Sequence, residues 1–402
     1  MSDEKYIKCR ICNEDVPHIG KHLKTAHPEV SEGQYKSDFP DAPMISPALQ
    51  RMIEEKFKQR QEGEASAQKM VANVLPFSPP GATIMRPLHE VFELPLTDEM
   101  RKAPARGQQT GDPIMIEVRD LAGMSEEDKT SIPDIDPGFV FEAGMLKDAV
   151  MAVQLNFPLL IWGWHGTGKT SLVKQVCART NRPWVRVQHT DTTEESHILG
   201  QMVVRNGGTE FDLGPLAIAM RDGLVYVADE YDFAHAAVIA VYQAVLEGEP
   251  LYIKEAPPAM RLIKPHPMFR FIATGNTNGS GDDTGLYSGT KIGNAAAYSR
   301  FGVTIQADYP ARPIEIGILR GRLGLSQDIA EKLVDFAEKS RKMYSDGELT
   351  LPISPRELIR AATLAMVKGG MFRRGIELAY SNRLSPTEAS AVSQTAQRVF
   401  GS

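Results

Sequence analysis

The spacing of apolar positions changes near Phe139, and that change divides the chain. Beyond it, short and nearly continuous apolar runs alternate with segments of helical spacing. The runs PLLIW (158–162), PWVRVQ (183–188), LVYVAD (224–229), FRFIATG (269–275) and GVTIQAD (302–308) predict five strands. Strands that are apolar throughout and separated by helices predict a parallel sheet covered on both faces. From about Ala311 the segments PIEIGILRGRL, DIAEKLVDFAEKSRKMY and SPRELIRAATLAMV read as helices, which predicts a separate helical lid. Ahead of Phe139 the pattern is weaker. Residues 46–72 predict a helix, with Leu49, Met52, Ile53 and Phe57 near helical spacing. In the stretch PFSPPGATIMRPLHEVFELPL helix cannot persist. Acidic, mixed sequence then predicts a tether with some local structure. The expected units are a Cys/His segment at 1–36, a helical and Pro-rich linker region at 37–136, an α/β core at 137–310 and a helical lid at 311–402.

Composition narrows the function classes. The chain has 402 residues and a formal net charge of -6, so nucleic-acid binding would have to come from a local patch. No apolar run approaches the ~20 residues needed to cross a bilayer. The opening MSDEKYIKCR lacks the apolar core of a signal peptide, so a cytoplasmic protein with no membrane contact is expected. Three cysteines are too few for a disulfide framework.

The strongest motif lies between the first core strand and a helix. Gly163-Trp164-His165-Gly166-Thr167-Gly168-Lys169-Thr170 fits the phosphate-loop pattern in the context that the pattern demands. Backbone N–H groups of such a loop, His165 among them, point at phosphate oxygens, and the helix N-terminus adds a favourable field. Lys169 then reaches the β- and γ-phosphates of a nucleoside triphosphate, and the Thr170 hydroxyl is a Mg²⁺ ligand. A second strand ends in Asp229-Glu230. Asp229 is expected to hold Mg²⁺ and Glu230 to polarise the attacking water. A third strand ends at Asn276, where a polar side chain faces the γ-phosphate; Asn278 is a weaker candidate that equally suits a turn. Arg300, before the last strand, is placed either to reach a neighbouring subunit's γ-phosphate or to form a surface salt bridge. Arg356 follows Ser354-Pro355 at the start of a lid helix and would project back at the nucleotide.

Together these residues resemble the AAA+ superfamily and, within it, the MoxR clade. The segments IPDIDPGFVFE, GWHGTGKT, VYVADEYD, KPHPMFRFIATGNTNGSGDDTGLYSGT and ISPREL are similar to those of CobS-type ATPase subunits of aerobic cobaltochelatase. The resemblance spans about residues 133–400. It implies an AAA+ P-loop core with a C-terminal lid, ATP and Mg²⁺ as cofactors, and a homo-hexameric ring. It further implies that Gly163–Thr170 is Walker A, Asp229 and Glu230 Walker B, Asn276 sensor 1, Arg300 the arginine finger and Arg356 sensor 2. The family remodels partners, typically with a von Willebrand factor A (VWA) domain adaptor similar to CobT. Two stretches resemble MoxR-clade insertions: 199–223, with a hairpin signal at Asn206-Gly207-Gly208, and 251–267.

Near the N-terminus, Cys9-x2-Cys12-x9-His22-x4-His27 has the ligand types and order of a structural Zn²⁺ site. Its middle spacing resembles the bacterial Ros/MucR finger and implies a small ββα unit. Lys5, Lys8, Arg10, Lys21 and Lys24 offer contacts to DNA phosphates, while Asp3, Glu4, Glu14 and Asp15 nearly cancel them. Docking to a protein is the other reading. Three functions therefore stand side by side: a remodelling motor, in narrow form a metal chelatase subunit; a DNA-associated motor recruited by the finger, as in a phage; and an ATP-binding scaffold without turnover, against which Glu230 argues.

Overall fold

In the computed structural model, residues 5–52, 83–103, 110–205, 207–282, 285–287 and 289–401 are described. The chain divides into two compact units, Met1–Leu75 and Pro76–Ser402.

In the first unit, β1 (Ile7–Lys8) pairs antiparallel with β2 (Asp15–Val16), and the helix Ile19–Ala26 follows. Ile7, Val16, Ile19 and Leu23 close over Tyr35 of a second helix, Glu32–Asp38, in a core too small to sustain many residues alone. The helix expected at 46–72 begins at Pro47 and is described through Met52; its remainder lies outside the described residues.

In the second unit, the five predicted strands are β5 (Leu159–Gly163), β6 (Trp184–Gln188), β9 (Val225–Asp229), β12 (Arg270–Gly275) and β13 (Val303–Ala307). All neighbours are parallel, in the order β13-β5-β12-β9-β6. Because side chains alternate across a strand, each apolar run serves two cores. Leu159, Ile161, Val225, Val227 and Ile272 face the helices Ala143–Gln154 and Lys169–Arg179. Leu160, Tyr226, Ala228, Phe271 and Ala273 face Pro215–Asp222 and Ala236–Leu246.

The expected tether is in part core. β3 (Thr83–Pro87) and β4 (Met115–Arg119) form an antiparallel pair, and Leu88–Val91 is a short helix inside the Pro-rich stretch that was expected to hold none. Pro87 sits just before the first helical turn, where its missing N–H breaks no helical bond. Leu88, Val91, Phe92, Met100, Ile116 and Val118 join the core of the first face. Phe92 is 2% exposed and meets Phe141 edge-on at 5.1 Å. Phe92→Ala is therefore expected to destabilise this unit by about 3–5 kcal/mol. Urea unfolding followed through Trp162, Trp164 and Trp184 checks it, since a true tether would show no change.

Both expected hairpins are present: β7 (Gly200–Arg205) with β8 (Gly208–Leu213), and β10 (Leu251–Tyr252) with β11 (Leu262–Ile263). The C-terminal helices Arg312–Leu323, Gln327–Ser345, Pro355–Val367, Phe372–Ala379 and Pro386–Phe400 enclose a core of their own. Two of them open with a serine cap, Pro in the first turn and a reciprocal Glu: Ser354 with Glu357, and Ser385 with Glu388. No helix among the described residues is long and apolar enough to cross a membrane.

Candidate nucleotide site and Cys/His cluster

Strand order brings the site together. β5, β9 and β12 run side by side in one direction, so their C-terminal ends share an edge of the sheet, next to the point where the chain's winding reverses. The phosphate-loop residues, Asp229-Glu230 and Asn276 are thereby neighbours. Gly163 has φ +138 and Gly166 φ +73. A Cβ on Gly163 would lie 2.2 Å from the Ala307 carbonyl oxygen, and one on Gly166 2.7 Å from the Ser354 hydroxyl of the lid. The loop thus fits closely against both β13 and the lid helix that carries Arg356.

Lys169 Nζ donates to the carbonyl oxygens of Gly163 (2.7 Å) and Trp164 (2.9 Å) and to Asn276 Oδ1 (3.1 Å). Burial lowers its pKa to about 8, against the opposing pull of Glu230, Asp232 and Asp229. Thr170 Oγ1 donates to Asp229 Oδ1 at 2.8 Å, and the Thr274 hydroxyl donates to the same oxygen. Arg186 Nε donates to Asp229 Oδ2 at 2.7 Å. Asn276 Nδ2 donates to Glu230 Oε2 at 2.9 Å, so one amide side chain joins the acid to the lysine.

Glu230 sits at φ +55, a left-handed turn that costs a non-glycine residue of order 1–3 kcal/mol and clusters at functional sites. Burial, then the Asp232 and Asp229 charges, raise its pKa above the ordinary Glu value and make it a stronger base. Asp232 accepts from the backbone N–H groups of Asn276 and Thr277, both at 2.9 Å, and from the Thr277 hydroxyl at 3.1 Å. It ties the segment after β12 to the acidic turn. Asp232, Thr274 and Arg186 were not singled out from the sequence; the acid spacing D-E-x-D was the one available signal.

Other expected residues fall in different settings. The His165 N–H donates to the Tyr287 hydroxyl at 3.1 Å, and its ring lies 3.2 Å from that oxygen, so Tyr287 engages this part of the loop. Asn278 accepts from Ser280 and makes a turn. Arg300 Nε pairs with Glu247 at 2.6 Å, and its Nη1 donates to the Ala296 carbonyl at 2.5 Å, which is the salt-bridge placement. Arg356 borders a cavity of about 480 Å³ together with Gly166, Thr167 and Gly168. Phe139, Val140, Ile314 and Ile318 supply its apolar walls. Trp164 stacks on Tyr309 at 5.6 Å, and Arg341 lies 4.2 Å over the Tyr309 ring while forking onto buried Glu315 at 2.6 and 2.8 Å. Loop and lid are thus mechanically joined beside the cavity.

In the N-terminal unit the ligand atoms of Cys9, Cys12, His22 and His27 all lie within 4.8 Å of one another. Cys12 Sγ is 3.2 Å from His22 Nε2, and His27 Nε2 is buried with no hydrogen-bond partner.

A parallel five-stranded sheet, with a phosphate loop and an acidic pair on the two strands that flank β12, defines a P-loop nucleoside triphosphatase. The family profile of the AAA domain (dynein-related subfamily) matches residues 158–301, and that of the CbbQ/NirQ/NorQ C-terminal region matches 315–400. The aerobic cobaltochelatase subunit CobS of a Sinorhizobium species is 32% identical over 281 residues, which cover 67% of this chain and 83% of that protein. Protein NorQ of Paracoccus denitrificans is 28% identical over 251 residues, 62% of this chain and 84% of its own. Protein CbbQ of Hydrogenophilus thermoluteolus is 26% identical over 212 residues, 52% and 74% of the two chains. The chain belongs to the MoxR-like AAA+ ATPases of the CbbQ/NirQ/NorQ type, a family that includes CobS.

Proposed function

We propose that this ATPase works as a homo-hexameric ring that remodels a partner protein complex, with Zn²⁺ holding its N-terminal unit. The observation that carries the reading is the Lys169–Asn276–Glu230 network, which couples phosphate binding to the water-polarising acid. In this reading the loop N–H groups and Lys169 hold the β- and γ-phosphates. Glu230 orients the attacking water and takes its proton, and Asn276 keeps that carboxylate aimed. Arg356 reads the phosphates from the lid. Arg300 leaves Glu247 and completes the neighbouring subunit's site.

Thr170 and Asp229 fit a hard divalent cation, since both offer oxygen and their atoms meet at 2.8 Å. Mg²⁺ bound there neutralises charge on the phosphates. A ring is tested by sedimentation of the ATP-loaded Glu230→Gln protein. A species that stays monomeric at micromolar concentration would end the ring reading. For the client, a VWA-domain partner similar to CobT is the first choice, because a CobS relative is by name a cobaltochelatase subunit. Such a partner should raise ATP turnover of the wild type, and no response to it would remove this assignment.

The finger fits Zn²⁺ on two grounds: two thiols and two imidazoles converge, and His27 Nε2 is a buried atom without a partner. Bound Zn²⁺ fixes the hairpin to the helix and supplies most of this unit's folding energy. The expected result is about one zinc per chain by elemental analysis. Cys12→Ala should lose the metal and the proteolytic resistance of residues 5–39 while ATP hydrolysis in the second unit persists. Retained zinc in that variant would refute the ligand set. Lys5, Lys8, Arg10, Lys21 and Lys24 are exposed on this unit beside exposed Glu14 and Asp15, and DNA is the second partner class that they offer. ATP turnover that rises with duplex DNA at low salt, and no longer does so in Cys12→Ala, would establish that reading; turnover indifferent to DNA would dismiss it.

A further inference from the structure

Asp229 is 4% exposed, and both of its oxygens are occupied. Oδ1 accepts from Thr170 and Thr274; Oδ2 accepts from Arg186 Nε at 2.7 Å and pairs with its Nη2. Arg186 lies on β6, opposite Val227 of β9 in the parallel register, so its side chain reaches two residues along the neighbouring strand to the carboxylate. Its side chain is 44% exposed, so the guanidinium can move to solvent when another cation takes over the charge of the buried carboxylate. Among the described residues its only ion pair is with Asp229. Nothing in the phosphate-loop pattern accounts for an arginine here: the motif asks for Asp229 as a cation ligand, and a guanidinium is already seated on it.

We propose that Arg186 is a positioning residue that competes with the divalent cation for Asp229 and so sets the Mg²⁺ concentration at which the site accepts nucleotide. Two like charges cannot share one buried carboxylate without mutual repulsion, so each lowers the other's affinity for it. The wild type thus takes up Mg²⁺–nucleotide only where free Mg²⁺ is high enough to displace the guanidinium. The inference rests on Asp229 and Thr170 being the Mg²⁺ ligands.

The test is a Mg²⁺ titration of binding of a fluorescent, non-hydrolysable ATP analogue to the full-length protein, which is independent of turnover. Arg186→Gln removes the charge and keeps a polar stem. Its Mg²⁺ midpoint should fall roughly five- to tenfold, the worth of one charge-assisted hydrogen bond at a half-exposed site. Arg186→Lys keeps the charge, and its midpoint should stay near that of the wild type. MgCl₂ alone, without nucleotide, should raise the melting temperature of Arg186→Gln more than that of the wild type, because its Asp229 carboxylate lacks a cation. An unchanged or higher midpoint for Arg186→Gln overturns the competition. Wild-type binding with no Mg²⁺ dependence would instead overturn the ligand assignment itself, so the two failures are distinguishable.

Discussion

Glu230→Gln should bind ATP with undiminished affinity and hydrolyse it about 10²–10⁴ times more slowly than the wild type. The substitution is nearly isosteric, and the Gln carbonyl can still accept from Asn276 Nδ2, which the Glu230 carboxylate now does at 2.9 Å. The turn at φ +55 is a backbone feature and is unaffected. The variant loses the negative charge and the basic lone pair that, in the proposed mechanism, orient and deprotonate water. Burial and the neighbouring acids have raised the basicity of that group, and those two acids are already engaged, apart from Asp232 Oδ1, which is buried without a hydrogen-bond partner. Asp229 is held by Thr170, Thr274 and Arg186, and Asp232 by two backbone amides and a hydroxyl. Single-turnover hydrolysis alongside equilibrium binding checks the split between the two effects. Turnover within a few-fold of wild type would show that another group does the polarising.

The same network shows which parts of the site were legible in the sequence. The five apolar runs matched the strands to within a residue; β5, β9 and β12 are buried on both faces and carry almost no polar position to blur their ends, while in β6 and β13 the alternating apolar positions were enough. Asp229 and Asn276 could be named because each stands at the end of such a run, where a parallel sheet collects its ligands, and Lys169 and Thr170 because they close the glycine loop that follows one. The serine caps and prolines of the lid were equally readable. Three things were not. Asp232 acts through backbone amides of a segment more than forty residues away, and no local pattern announces that partner. Arg186 sits inside an apolar-looking strand, and its role depends on which strand lies beside it. Residues 83–103 and 110–136 read as a tether because Pro and acidic residues dilute their apolar positions. Leu88, Phe92, Ile116 and Val118 are nonetheless buried, each by tertiary packing that periodicity does not encode.

Arg300→Ala should lower ATP turnover of the assembled protein by about 10³–10⁵-fold while leaving nucleotide binding in place. Among the described residues of its own chain, the polar partners of Arg300 play no part in the phosphate network: Glu247 at 2.6 Å and the Ala296 carbonyl. An exposed pair of this kind contributes at most about 1 kcal/mol, so its loss cannot reproduce such an effect through stability. Glu247→Ala is the matching control: it breaks the same pair but frees Arg300, and turnover should hold. The decisive measurement is a mixture. Arg300→Ala subunits keep an intact Lys169, Asp229 and Glu230; Glu230→Gln subunits keep the arginine but lack the acid. Each is inactive alone. In a mixed ring, a site on an Arg300→Ala subunit that adjoins a Glu230→Gln subunit again receives an arginine, so turnover should reappear and pass through a maximum as the mixing ratio varies. If the mixture stays as inactive as its parts, although mixed rings form, Arg300 does not act across the subunit boundary. If Arg300→Ala alone retains turnover, the ion pair with Glu247 is the whole of its role.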